Sequence, residues 1–199
     1  MRKILMFNRV SADGSFASQS GDLSWVVPDD AIDQGGAERM PEVDAMLFGR
    51  TTYQAFESFW PHALKDATTA EDPHAAGRRS PTLRAMAGWI NRTEKLVFSR
   101  TLKRMSWQNS RLLGEFEPGA VQALKERPGK NIIIFGSGSI VSRLTEHALI
   151  DEYQFVVGPL LLGSGRPLLS GVQQSLNLEL LEVKAYDSGN VVLRYARKH

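Results

Sequence analysis

The sequence contains no cysteine. That absence excludes a disulfide framework, a Cys-ligated zinc or iron–sulfur centre and a thiol nucleophile, and it suits a reducing compartment. Histidine is nearly as scarce. His62, His74, His147 and His199 lie too far apart for metal-ligand spacing and read as surface or capping residues, so no metal site is expected. No apolar run approaches the roughly 20 residues that a bilayer-spanning helix needs. The basic start of residues 1–14 imitates a signal peptide, but Asn8 and Arg9 break its apolar stretch. It reads instead as the first β-strand of a cytoplasmic protein. The dinucleotide-binding glycine fingerprint and the P-loop are both missing: Gly136-Ser137-Gly138 lacks a third glycine at the required spacing, and no Gly-Lys-Ser/Thr occurs. There is no internal repeat and no low-complexity tract.

What remains is an ordinary globular composition, with 42% hydrophobic and 23% charged residues. The 199 residues suit one domain, 1–199, large enough to bury a core without a metal or disulfide staple. Net charge is only +2. Its distribution is uneven: residues 76–111 carry Arg78, Arg79, Arg84, Arg92, Lys95, Arg100, Lys103, Arg104 and Arg111 against Glu94 alone. Such an excess either serves a phosphorylated ligand or forms a solvated face. The aromatic residues are not interleaved with it, which argues against nucleic-acid binding.

Strand-like and helix-like segments alternate along the chain. Residues 3–10, 45–48, 95–99, 131–135 and 153–157 are apolar runs of strand length, most without alternation, as expected of strands buried on both faces. Pro28-Asp29-Asp30 opens a helix, with proline in its first turn and carboxylates at the positive end of the dipole. Residues 53–59, 82–90, 117–127 and 140–148 are further helices, and residues 61–80 form a long polar excursion. The C-terminus changes character: residues 176–186 and 191–195 alternate apolar and polar around Ser188-Gly189-Asn190, the pattern of an antiparallel hairpin with one buried face. The expectation is an α/β fold of three layers around a mostly parallel sheet, ending in an antiparallel hairpin. That hairpin can pair across a two-fold axis, which points to a homodimer.

Three turns follow strands and introduce or approach helices: Gly49-Arg50-Thr51-Thr52, Ser99-Arg100-Thr101 and Gly136-Ser137-Gly138-Ser139. Glycine admits a ligand close to the backbone, a helix N-terminus offers N–H groups to phosphate, and arginine binds it bidentately. Ligands of open α/β sheets lie beyond the carboxyl ends of the strands, so three such turns on one edge suit an extended dinucleotide. Any one of them alone serves equally well as a tight connection.

Several segments fall in the order of the dihydrofolate-reductase-like superfamily: Val10-Ser11-Ala12-Asp13-Gly14, Leu47-Phe48-Gly49-Arg50-Thr51-Thr52-Tyr53, Lys95-Leu96-Val97-Phe98-Ser99-Arg100-Thr101-Leu102, Ile133-Ile134-Phe135-Gly136-Ser137-Gly138-Ser139, Leu149-Ile150-Asp151-Glu152-Tyr153 and Gly158-Pro159-Leu160-Leu161-Leu162-Gly163-Ser164-Gly165. The chain most resembles the branch built on the riboflavin-biosynthesis reductase, the RibD C-terminal domain. The resemblance covers nearly the whole chain and is weakest over residues 61–80. It implies NADPH, with Gly49, Arg50, Thr51 and Thr52 at the cofactor phosphates and Ser99, Arg100 and Thr101 near the adenosine 2′-phosphate. It also implies Gly136, Ser137, Gly138, Ser139 and Ile140 at the pyrophosphate and the Ala12 backbone beside the nicotinamide. Trp25, Pro28 and Asp30 fall in the order in which dihydrofolate reductases carry the acid that holds the pterin and assists its protonation. Asp30, with Asp29 as its rival, is therefore the candidate catalytic and substrate-binding carboxylate, and Trp25 a candidate wall of the substrate cleft. A carboxylate there would bind an amino-pyrimidine edge, and burial would raise its pKa; the other reading is an acidic helix cap.

Hydride transfer needs alignment and exclusion of water rather than a nucleophilic triad, and the sequence contains no such triad. The implied activity is NADPH-dependent reduction of a pyrimidine or pteridine-like small molecule, with 5-amino-6-(5-phosphoribosylamino)uracil as the family substrate. Dihydrofolate reduction and a non-catalytic NADP-binding module stay open as alternatives. The sequence departs from the family in two ways: no His/Cys cluster of a zinc deaminase precedes the domain, and the ribose-phosphate segment before residue 45 is not strongly marked. Arg78, Arg79 or Arg166 could replace it. No nucleic acid and no membrane is expected as a partner.

Overall fold

The computed structural model describes residues 1–63 and 81–198. The polar excursion from residue 64 onward, with His74, Arg78 and Arg79, lies outside the described residues, as does His199. Among the described residues, ten strands and five α-helices follow one another: β1 Ile4–Ser11, β2 Ser15–Ala17, α1 Asp30–Glu38, β3 Val43–Gly49, α2 Arg50–Phe59, α3 Pro81–Arg92, β4 Glu94–Phe98, β5 Ser110–Gly114, α4 Pro118–Glu126, β6 Asn131–Phe135, α5 Gly138–Glu146, β7 Glu152–Gly158, β8 Arg166–Pro167, β9 Leu178–Ala185 and β10 Val191–Arg197.

Eight strands form one sheet in the order β5-β4-β3-β6-β1-β7-β10-β9. Every pairing from β5 to β7 is parallel; β10 and β9 add to the far side antiparallel. The continuous apolar runs are the central strands, because helices cover both of their faces. On one face, Val121 and Leu124 of α4 and Ile140, Val141 and Leu144 of α5 pack against Ile4, Met6 and Ile134. On the other, Tyr53, Phe56 and Phe59 of α2 and Leu83, Met86 and Ile90 of α3 meet Met46, Phe48 and Val97, while Ile32 of α1 meets Val156 and Val192. This is the expected three-layer arrangement around a mostly parallel sheet.

Several boundaries differ from the sequence reading. Helix α2 begins at Arg50, directly after the extended Gly49 at its N-cap. Helix α5 begins at Gly138, after Ser137 in the left-handed conformation (φ 63°), and ends at Glu146. Pro28 precedes the N-cap of α1 rather than lying in its first turn, and Asp29 is the cap, accepting from the N–H groups of Ala31 and Ile32. Strand β5, with its basic sequence SRLLG, was not anticipated; nor was the small β2–β8 ribbon. The hairpin is present, but β9 is exposed along nearly its whole length. It is the sheet's edge, so its alternation is not matched by burial within the chain: Leu180 is 54% and Val183 60% exposed.

Candidate active site

Strands β1 and β6 pair only from Ile4–Ile132 to Phe7–Phe135. Beyond Phe7, β1 continues to Ser11 with β7 on one side alone, while β6 turns away at Gly136 into α5. The chain after β1 leads to α1 on one face of the sheet and the chain after β6 to α5 on the other. The strand ends therefore part into a crevice, the place where open α/β sheets hold ligands. An open cleft of about 570 Å³ occupies it. The first and third sequence turns line it in full: Gly49, Arg50, Thr51 and Thr52 from one side and Gly136, Ser137, Gly138, Ser139 and Ile140 from the other, with Ser99 of the second turn at its margin.

These turns are fastened to one another. Ser137 Oγ accepts from the Gly49 N–H at 2.8 Å and lies 2.8 Å from Thr52 Oγ1. A Cβ on Gly49 would approach Ser137 Oγ to 2.9 Å, so glycine is needed for this closure. Gly136 has φ +68°, a conformation that glycine adopts without strain. The Ile140 N–H donates to the Ser137 carbonyl at 2.7 Å, whereas those of Gly138 and Ser139, the first two of α5, have no partner within the helix, and both residues line the cleft. Asn8 lines it too. The side chain of Asn8 is nine-tenths buried, and its Oδ1 has no hydrogen-bond partner among the described residues. A site with free helix N–H groups, a nearby arginine and a buried acceptor fits a nucleotide carrying phosphates and an amide.

Residues 2–192 match the RibD C-terminal domain family. The chain belongs to that family. The Bacillus subtilis (strain 168) protein YyaP, named as uncharacterized, is 28% identical over 198 residues, covering 98% of this chain and 94% of that one. Among solved structures, a putative riboflavin biosynthesis protein from Shewanella sp. PV-4 superposes with a TM-score of 0.74 at 22% identity, covering 99% of both chains. Dihydrofolate reductase from Enterococcus faecalis, solved with NADP(H), gives 0.63 at 11% identity over 99% of this chain and 97% of its own. The similarity to these two structures is one of fold, the dihydrofolate-reductase-like fold.

Against that RibD C-terminal fold, the other sequence candidates take up distinct places. Ala12 lies outside the cleft lining, and its N–H donates to Leu160 O at 2.8 Å. Thr101 accepts from Arg50 Nη1 at 3.0 Å, which ties the second turn to the first. Arg100 projects from the surface, 75% exposed and 3.5 Å from Glu115. Trp25 is half-buried near Gly158 and away from the cleft lining, with its indole N–H lacking a partner among the described residues. Arg166 reaches the cleft, holding Gln19 O through Nε and Nη2.

The two carboxylates do not take the buried position expected of them. Asp30, at the first position of α1, is exposed and lines no part of the cleft. Asp29 is turned to the helix end and to the Ser188 hydroxyl, which donates to it. Burial pushes its pKa up. The bonds from Ser188, Ile32 and Ala31, together with the Arg9 charge, outweigh this and hold the carboxyl below its ordinary range. The expected rise is therefore a fall, because the cap satisfies the charged form.

The residues that the sequence reading passed over are Asn8 and Arg9. They served there only to break an apolar stretch. Two polar residues inside an otherwise apolar central strand were the available signal. Arg9 borders the cleft, and its Nη2 donates to Asp33 Oδ1 at 2.9 Å, with both side chains buried. Asp13 is a second omission. It accepts from Ser11 and from the N–H groups of Leu162 and Gly163, which clamps the turn after β1 to the loop after β7.

Proposed function

We propose that this chain is an NADPH-dependent reductase that transfers hydride to a planar heterocycle of the pyrimidine or pteridine type. The reductase step on 5-amino-6-(5-phosphoribosylamino)uracil is the reaction the family first suggests. The observation that carries the reading is the parting of β1 and β6, with strand-end turns along a single cleft. NADPH, when bound, supplies the hydride. The N-terminus of α5, with Gly136, Ser137, Gly138, Ser139 and Ile140, would hold the pyrophosphate. Gly49, Arg50, Thr51 and Thr52 would face it, Ser99, Arg100 and Thr101 would meet the 2′-phosphate, and the Ala12 backbone would lie near the nicotinamide. Asn8 offers its buried oxygen to an amide N–H.

The chain's contribution to the reaction is binding, alignment of the two reacting rings and exclusion of water from between them. Asp30 and Asp29 are the acids nearest the start of α1; for either to serve the substrate, α1 must shift when the ligand binds. The exposed apolar edge of β9 supports a homodimer built on that strand, and Val183→Lys should then shift the sedimentation coefficient toward the monomer. A cytoplasmic location accords with a cysteine-free NADPH enzyme.

The test is a parallel titration with NADPH and NADH, followed by nicotinamide fluorescence. NADPH should bind at least about tenfold tighter, and Arg50→Ala should weaken it by a similar factor through loss of a charge-assisted phosphate contact. Loss of nicotinamide absorbance with aminopyrimidines or dihydrofolate then identifies turnover. Binding of neither cofactor refutes the reading.

A further inference from the structure

We propose that residues 99–107 form an anion-binding loop in which Lys103 and Arg104 strengthen the hold on the cofactor's 2′-phosphate, and that Glu57 is the positioning residue of this loop. The identity of the anion rests on the reductase reading; the loop's capacity to bind one does not. The segment joins β4 to β5 and carries Arg100, Lys103 and Arg104, with no acid among its nine residues. All three cations are exposed. Arg100 has Glu115 at 3.5 Å, whereas Lys103 and Arg104 have no ion-pair partner among the described residues.

Like charges this close in the chain repel one another, and an unrestrained loop would spread them. Here α2 restrains both ends. At the start, Ser99 Oγ accepts from the N–H groups of Thr101 and Leu102 at 3.2 and 3.0 Å, and Arg50, the first residue of α2, donates to Thr101 Oγ1 at 3.0 Å. At the end, Glu57 Oε1 accepts from the Ser106 N–H, the Ser106 hydroxyl and the Trp107 N–H at 2.9, 2.7 and 3.0 Å. The Tyr53 hydroxyl adds a fourth donor at 3.2 Å. Trp107 is itself buried, its indole N–H donating to Asn91 Oδ1 at 2.7 Å. Between the two anchors Leu102 and Met105 pack against the core beside α2, which leaves Lys103 and Arg104 facing solvent.

Four donors on one oxygen suit a full negative charge; a neutral amide oxygen has lone pairs for only two. Burial pushes the Glu57 pKa up, but the bonds from Ser106, Trp107 and Tyr53 outweigh it and hold the carboxyl below its ordinary range. The anchor is therefore charged at neutral pH. Arg50 and Glu57 are seven residues apart in α2, which is about 10 Å along the helix axis. The cations strung between them thus stand about one Debye length from Ser99, which lines the cleft, and from Arg50. A phosphate dianion at that margin is attracted by all of them, and a cofactor without it offers them nothing there to pair with. Glu57 touches no ligand in this arrangement; its effect passes through the loop.

The test is titration of the full chain with NADPH and NADH by nicotinamide fluorescence, and with adenosine 2′,5′-bisphosphate and adenosine 5′-phosphate by calorimetry. Lys103→Gln combined with Arg104→Gln should weaken NADPH at least about fivefold and NADH by less than about twofold. For Glu57→Gln two effects have opposite signs. Removing a negative charge by itself tightens an anion, whereas releasing the anchor loosens it; NADPH should weaken about threefold, with NADH again within about twofold. Added to the double variant, Glu57→Gln should cost less than about a further twofold, because the anchor then holds uncharged side chains. Ser106→Ala, which removes one donor and no charge, should lower the NADPH preference in the same direction, and it serves if Glu57→Gln does not fold. Equal loss of both cofactors, tighter NADPH in Glu57→Gln, or full additivity overturns the positioning role, and undiminished NADPH binding by the double variant overturns the loop. A parent that binds neither nicotinamide cofactor yet prefers the 2′,5′-bisphosphate, and loses that preference in the double variant, would refute the reductase reading and leave the loop standing; a parent without that preference refutes the loop.

Discussion

The Arg9–Asp33 pair joins the first strand to the first helix at the border of the cleft, and removing half of it gives a strong test of the fold. The side chains are only 7% and 4% exposed, and Arg9 Nη2 donates to Asp33 Oδ1 at 2.9 Å. Arg9 Nη1 also reaches Val27 O at 3.4 Å. Asp33→Leu leaves the guanidinium buried without its carboxylate, which costs about 3–5 kcal/mol. For a domain of this size that lowers the unfolding midpoint by roughly 6–20 °C. Arg9→Met combined with Asp33→Leu removes both charges and replaces them by apolar groups of similar length. The double variant should return to within about 1 kcal/mol of the parent, giving a coupling energy of about 2 kcal/mol or more. Urea unfolding followed in parallel by tryptophan fluorescence and far-ultraviolet circular dichroism measures all four proteins and checks two-state behaviour. A cost below about 1 kcal/mol for Asp33→Leu would mean that water reaches the pair, and simple additivity in the cycle would refute the coupling argument.

Three further predictions rest on single residues. Lys95 is fully buried, its ammonium donating to Asn91 O at 2.9 Å and Gln108 O at 3.2 Å and lying 4.3 Å from the Trp107 ring centre. Burial pushes its pKa down from 10.5 to about 8. Between these values the unfolded chain binds more protons than the folded one, so stability rises with pH, by about 2 kcal/mol from about pH 7.5 to 9.5; urea midpoints should show this rise, and Lys95→Met should lack it. Asp29→Ala removes the N-cap of α1 and should cost about 1 kcal/mol at neutral pH. Because the folded carboxyl titrates below its ordinary value, the difference between parent and variant should shrink as pH falls below that of an unfolded aspartate and vanish under the folded pKa; a constant difference at acid pH contradicts the cap. Gly49→Ala drives a Cβ to within 2.9 Å of Ser137 Oγ and 3.1 Å of Ile140 Cγ1. It should lower stability by about 1–3 kcal/mol and weaken NADPH binding together with it; an unchanged midpoint would show that the two turns are not locked.

The central strands were legible because they are buried on both faces, and a continuous apolar run such as Ala45-Met46-Leu47-Phe48 has no other economical explanation. The turns were legible for a related reason: glycine and hydroxyl residues directly after such runs mark strand ends. Gly49 and Gly136 through Ile140 do line the same cleft. What local pattern could not supply was side-chain direction. Asp29 and Asp30 are adjacent, and their spacing after Trp25 and Pro28 says nothing about where α1 points them. The helix start takes Asp29 as its cap, leaves Asp30 in solvent, and buries Asp33 one turn later against Arg9. Nor does alternation in β9 reveal that the sheet ends there, with no further layer to cover it among the described residues.

The sequence by itself determined the α/β class around a mostly parallel sheet and the order of the strand-end turns, because these depend on hydrophobic period and on residues close together in the chain; the family followed from the resemblance of its motifs. Only the tertiary structure decided that β1 and β6 part after Phe7, that Asn8 and Arg9 stand at that opening, and that Asp33 of α1 is buried against Arg9. Each of these depends on which strands become neighbours and where helices from distant segments come to rest, and such long-range pairings leave no periodic mark in a single sequence.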